Sequence, residues 1–89
     1  MTDTIKKALK DKLSREILTF FYQNQSSIDT VSGVAAWVRA DRDKVKQALD
    51  KLVQLGVLEE DSIGSTKGYC YTRKENVMKA MKKLMSENE

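Results

Sequence analysis

The stretch Val34-Ala35-Ala36-Trp37-Val38-Arg39-Ala40-Asp41-Arg42-Asp43-Lys44-Val45-Lys46-Gln47-Ala48-Leu49-Asp50-Lys51-Leu52-Val53-Gln54-Leu55-Gly56-Val57-Leu58 holds two helical periodicities with a short break between them. Val34, Ala35 and Val38 make the apolar face of a helix of about two turns. Arg39-Ala40 interrupts it. Asp41 then offers a carboxylate to the open amides of a second helix, where negative charge also suits the helix dipole. Val45, Ala48, Leu49, Leu52 and Val53 recur at spacings of three and four, so the second helix buries one stripe and turns the rest to water. Gly56 falls where a left-handed residue ends a helix. Val57-Leu58-Glu59-Glu60-Asp61 reads as a strand leaving it.

Outward from this stretch the same rules apply. Tyr69-Cys70-Tyr71-Thr72 reads as the antiparallel partner of that strand, across a loop from Ser62 to Gly68. Tyr69 and Tyr71 alternate onto one face and are expected on the core, with Cys70 on the other. Thr72 and Glu75 have capping-box spacing. A helix over 73–88 follows, with Val77, Met78, Met81, Leu84 and Met85 on one stripe. Upstream, Ile5, Leu9, Leu13, Ile17, Phe20 and Phe21 make one stripe, which predicts a single helix with residues 3–13 as an extension. Asn24 to Ser27 is a turn, Ile28 a stub of strand, and Asp29 or Thr30 caps the short helix. Residues 1–89 thus read as one domain with its core at about 14–74. It is mainly α, with a small β hairpin and a helix at each end.

Composition narrows the chemistry. Eighty-nine residues fill one small core. There is no histidine and one cysteine, so a His-based acid–base site, a zinc cluster and an internal disulfide are excluded. No nucleophile–base pair or phosphate-cradling glycine motif can be assembled, and neither an enzyme nor a cofactor is expected. Apolar runs such as 34–38 fall far short of the roughly 20 residues that span a bilayer. The N-terminus has no signal-like apolar core, so a reducing, cytoplasmic setting is expected. Sixteen basic against thirteen acidic side chains give +3 and a pI near 9.0, which permits nucleic-acid binding without demanding it.

The order helix, stub, helix, helix, strand, strand, helix resembles the winged helix-turn-helix of bacterial and archaeal transcription regulators of the MarR, ArsR and PadR-like type. The matching residues are the apolar-Ala pair Val34-Ala35, Val38 and Ala40 around the turn, Asp41 as cap, Val45, Leu49 and Leu52, and Gly56-Val57-Leu58 entering the wing. Many members place glycine in the turn, where this chain has Arg39. The resemblance implies double-stranded DNA as partner and the second helix of the motif as the reading element. Base-reading candidates are Arg42, Asp43 and Gln47, because guanidinium, carboxylate and amide groups can bond base edges. Phosphate candidates are Lys44, Lys46 and Lys51 on the helix and Ser65, Thr66 and Lys67 on the wing. Asp43, Asp50 and the run Glu59-Glu60-Asp61 oppose this, since each weakens the field that attracts DNA. The rival reading is a winged helix that contacts protein and no DNA.

Three features stand outside the motif. The terminal stripes of Ile5 and Leu9, and of Val77, Met78, Met81, Leu84 and Met85, exceed what a small core covers. They are expected to pair, within and between two copies, as a homodimer seam, with folding back on their own domain as the alternative. Trp37 is expected to pack under the first helix, with a dimer contact or the wall of an effector pocket as alternatives. Cys70 lacks a resolving cysteine, which argues against redox sensing.

Overall fold

Asp11 decides where the N-terminal periodicity breaks. In the computed structural model, which describes residues 2–87, helix α1 (Thr2–Ala8) ends just before it and α2 (Lys12–Gln23) begins just after. Its carboxylate accepts from the Ser14 amide at 2.9 Å, as an N-cap does. The Arg15 guanidinium donates to the Leu9 carbonyl at 3.1 Å, so a carbonyl freed by the break keeps a partner. The single helix expected from the continuous stripe is therefore two helices. An apolar stripe records which face is buried, not whether the backbone between its members stays helical.

Strand β1 (Ile28–Asp29) leads into α3 (Val31–Val38), capped by Thr30, whose hydroxyl accepts from Gly33 at 3.1 Å. Arg39 ends α3 in the left-handed conformation, φ 56° and ψ 51°. The Ala40 amide then closes back on the Ala35 carbonyl at 3.1 Å. Asp41 caps α4 (Arg42–Gln54), accepting from the Lys44 amide at 3.1 Å. Gly56, at φ 83°, takes the left-handed position expected of it.

The sheet has three antiparallel strands in the order β1-β3-β2, with β2 at Leu58–Ile63 and β3 at Thr66–Tyr71. Leu58 pairs with Tyr71 and Ile63 with Thr66, so the hairpin runs out to a tip of only Gly64 and Ser65. The wing is longer than the sequence suggested, because Ser62, Ile63, Thr66 and Lys67 pair instead of looping. Gly68 permits this. A Cβ there would lie 2.8 Å from Ile28 Cγ2 and 3.1 Å from Ile63, which close over it from either side. The stub at Ile28 pairs with Cys70 and makes β3 the central strand.

Helix α5 (Glu75–Glu87) starts later than residue 73, and residue 88 lies outside the described residues. The expected capping box does not form. Thr72 and the Arg73 amide are both held by the Glu59 carboxylate, at 3.3 and 2.6 Å, and Thr72 Oγ1 accepts from the Lys74 amide instead.

One core joins all five helices to the sheet. Ile17, Leu18, Phe21, Val34, Val45, Leu49, Leu52, Leu58 and Tyr69 are fully buried in it. Ile5, Leu9, Val77, Met81 and Leu84 are buried there too. The two terminal stripes thus pair within one chain, and what they offer a second copy is the part they leave uncovered. Leu9 and Leu84 line one shallow groove, so the terminal helices come together within a single chain. Burying such side chains is worth about 1.5–3 kcal/mol each, which a second copy is not needed to provide. Of the expected seam only Met78 is exposed, and Met85 is half-buried. Among the described residues no helix is long and apolar enough to cross a membrane.

Candidate nucleic-acid interface

The burial of α4 fixes what it shows to solvent. Val45, Leu49 and Leu52 are buried. With 3.6 residues per turn, the row opposite them is Asp43, Gln47, Asp50 and Gln54. Lys46 lies on one flank of that row; Lys44 and Lys51 lie on the other. Arg42 opens the helix on the Lys46 flank. Arg42, Asp43, Lys44, Lys46, Gln47 and Lys51 are all exposed. The base-reading candidates therefore do not form one row: Asp43 and Gln47 stand on the crest, and Arg42 lies about 100° round the helix from Asp43, past Lys46.

Asp50 ties this helix to the wing. One carboxylate oxygen accepts from Lys46 Nζ at 2.6 Å. The other accepts from the Tyr69 hydroxyl at 2.6 Å and faces Lys67 Nζ at 3.6 Å. Lys67 also pairs with Glu60 at 2.9 Å and lies over the Tyr69 ring, 5.3 Å from its centroid. The bond from Lys46, then that from Tyr69, holds the Asp50 carboxyl below its ordinary pKa. Burial, then the Asp50 carboxylate, pushes the Tyr69 phenol up, so it stays a donor. Glu60, first, and then Tyr69 hold Lys67 firmly protonated. Exposed ion pairs add little stability, about 0.2–1 kcal/mol each. Their weight here is geometric: Asp50 carries a bond from α4 to β3 that fixes the wing beside the helix.

Two phosphate candidates, Lys46 and Lys67, thus face internal carboxylates, whereas Lys44 has no side-chain bond among those described. Lys51 is close enough to Asp11 to help lower its carboxyl pKa, behind the Ser14 bonds. That places it toward the start of α2 and away from the wing. Ser65 and Thr66 are exposed at the wing tip. The acids of β2 are also engaged, since Arg73 pairs with Asp61 at 3.0 Å and Glu59 at 4.0 Å. The Lys46–Asp50 spacing of four was legible in the sequence. The Tyr69 and Lys67 contacts were not, because they depend on strand register.

The remaining candidates fall elsewhere. Tyr69 and Tyr71 are buried as expected, and so is Cys70. Burial pushes its thiol pKa up, the opposite of a reactive thiolate. Trp37 meets the expected first helix only at Phe20 and is not covered by it. Its ring meets the edge of Phe20 at 5.2 Å and stays 60% exposed, because Val34 takes the core-facing position on so short a helix. It walls an open groove between α2 and the end of α3. Among the described residues no group of three or more acids and cysteines is placed to hold a metal ion.

This architecture is the winged helix-turn-helix: α3 and α4 are the motif, and β2 and β3 the wing. No protein-family model and no curated protein matches the sequence. Solved structures match the fold. A possible transcriptional regulator from Methanosarcina mazei Go1 superposes with a TM-score of 0.74 at 16% identity, over 96% of this chain and 76% of that one. An ArsR-like transcriptional regulator from Rhodococcus sp. RHA1 gives 0.71 at 20% identity, over 97% and 80%. A mutant of MepR from S. aureus, bound to an oligodeoxyribonucleotide, gives 0.69 at 15% identity, over 91% and 64%. At these identities the likeness is one of fold.

Proposed function

We propose that this chain binds double-stranded DNA and regulates transcription, with α4 in the major groove and the β2–β3 wing alongside. The observation that carries the reading is the pairing of an exposed helix surface with a fixed wing. Arg42, Asp43, Lys44 and Gln47 project from a helix whose other face is locked in the core, and Asp50 and Tyr69 hold the wing next to it. A helix of about 10–12 Å diameter matches a groove about 12 Å wide. The DNA-bound relative of the same fold supports the assignment.

Within it, Gln47 and Arg42 read base edges, and Asp43 accepts from a cytosine amino group or serves the helix dipole. Lys44, Ser65 and Thr66 meet phosphates. Lys46 and Lys67 join them by exchanging carboxylate for phosphate, and Lys51 is the most distant contributor. Repression by occluding a promoter needs nothing more than such binding. Two copies on half-sites about 34–36 Å apart remain part of the proposal. On the terminal stripes, the exposed Met78 and the half-buried Met85 are the side chains left for their contact.

Selection of bound fragments from genomic DNA, followed by salt titration, tests this. A DNA binder loses affinity with a log–log slope of about −0.9 per phosphate neutralised. Absence of binding at low salt overturns the reading in favour of a protein-contact module. The acids Asp43, Glu59, Glu60 and Asp61 and the exposed Trp37 are what favour that rival.

A further inference from the structure

On the solvent side of α4 three donors converge on one anion, and that anion belongs to the chain itself. Asp50 stands in the row opposite the buried stripe of α4, with Asp43 two turns earlier and Gln47 between them. One Asp50 oxygen accepts from Lys46 Nζ at 2.6 Å. The other accepts from the Tyr69 hydroxyl at 2.6 Å, with Lys67 Nζ at 3.6 Å. Lys46 comes from α4 and the other two donors from β3. Two ammonium groups and a hydroxyl are also what proteins set around the oxygens of a nucleic-acid phosphate. The set is open to solvent, since the Lys46, Lys67 and Asp50 side chains are 55%, 46% and 38% exposed. Two other acids bear on this surface. Glu60 holds Lys67 at 2.9 Å, and Asp43 has no side-chain partner among the described residues.

We propose that Asp50 is an internal stand-in for a DNA phosphate, a carboxylate that keeps Lys46 and Lys67 occupied and so holds down affinity for DNA of every sequence. A phosphate that approaches between α4 and the wing must displace a carboxylate already bonded to the same donors. Tyr69 keeps that carboxylate fixed between the two lysines, so it does not swing away when DNA arrives. The inference rests on the DNA reading and goes beyond it, since it assigns the restraint on binding to one acid.

The test measures binding of the full chain to a random-sequence duplex across a salt series, by fluorescence anisotropy. Asp50→Asn removes the charge and keeps an oxygen to accept from Tyr69. It should bind roughly two- to tenfold more tightly than wild type, the worth of one to two exposed ion pairs. The log–log salt slope should steepen by up to about 0.9 for each lysine released. Asp43→Asn removes the same charge from the same row without releasing a lysine, and should gain less. In a chain carrying Lys46→Gln and Lys67→Gln, Asp50→Asn should gain no more than Asp43→Asn does in the wild-type background. Equal gains for Asp50→Asn and Asp43→Asn in the wild-type background overturn the inference and leave the DNA reading standing, because they report net charge alone. Weaker binding by Asp50→Asn overturns it too. A wild-type chain that binds no duplex at low salt overturns the DNA reading and the inference with it. If Asp50→Asn does not fold, Glu60→Gln, which frees Lys67 from its shorter pair, decides by the same comparison with Asp43→Asn.

Discussion

Arg39 holds a backbone conformation that its residue type resists, and replacing it gives a measurable gain. At φ 56° and ψ 51° its Cβ crowds the following carbonyl oxygen, a cost of about 1–2 kcal/mol for a residue other than glycine. Arg39→Gly removes that cost. Glycine adds back about 0.5–1 kcal/mol through the freedom it gives the unfolded chain. The net expectation is a gain of about 0.5–1 kcal/mol. For a domain of this size 1 kcal/mol moves Tm by roughly 4–8 °C, so Tm should rise by roughly 2–8 °C. Arg39→Ala is the control, since it loses the same side chain and keeps the strain. The Arg39 side chain makes no hydrogen bond among those described, so alanine should be near neutral. Thermal melts and urea titrations of both variants give the comparison. If glycine is no more stable than alanine, the backbone there is not left-handed and the geometry of the α3–α4 turn is wrong. DNA affinity should fall equally in both variants if Arg39 meets a phosphate, which separates its charge from its strain.

Met81→Ala should destabilise by about 2–5 kcal/mol through the cavity it leaves, with no dependence on protein concentration, whereas Met78→Ala should stay within about 0.5 kcal/mol. Urea titrations at two protein concentrations check this, and a concentration-dependent cost at Met81 would place it in a contact between two copies. The lowered pKa of Asp50 contributes stability that is present above its unfolded value of about 3.8 and is lost as pH falls through the still lower folded value. Asp50→Asn should therefore flatten the acid limb of stability below about pH 4, and an unchanged limb counts against the Lys46 and Tyr69 bonds. Cys70 should react slowly with iodoacetamide at pH 8 in the native state and fully in urea, read by mass spectrometry. Equal rates would contradict its burial.

The elements legible in the sequence were those announced by local chemistry. Asp41 and Thr30 cap helices because their side chains reach amides within their own turn, and Gly56 ends α4 because its conformation is local. The Val45, Leu49 and Leu52 stripe fixed the rotation of α4 and so identified its exposed residues. What was not legible depends on distant partners. Thr72 has the spacing of a capping box, but Glu59, brought by strand pairing, holds it first. The terminal stripes were correctly read as needing cover, yet periodicity cannot tell a partner in the same chain from one in another. Asp11 shows a third kind of gap: a polar residue on the solvent side of a continuous stripe can break a helix without disturbing the stripe.

Acidic residues near a DNA-facing surface look like evidence against that surface until each is followed to its partner. Asp41 caps α4. Asp50 holds Lys46, Tyr69 and Lys67, and Glu60 shares Lys67. Glu59 and Asp61 hold Arg73 and the start of α5. These charges fix the relative positions of α4, the wing and α5, and all but Asp41, which is answered by a backbone amide, are offset by a cation within the fold. The cost falls on Lys46 and Lys67, which must leave a carboxylate to meet a phosphate. Asp43 alone of this group has no side-chain partner among the described residues, and it stands on the crest of α4 beside Gln47. A lone carboxylate there lowers attraction to every DNA sequence alike, unless one sequence offers it a donor. The same charge that weakens non-specific binding is therefore the one best placed to make binding selective.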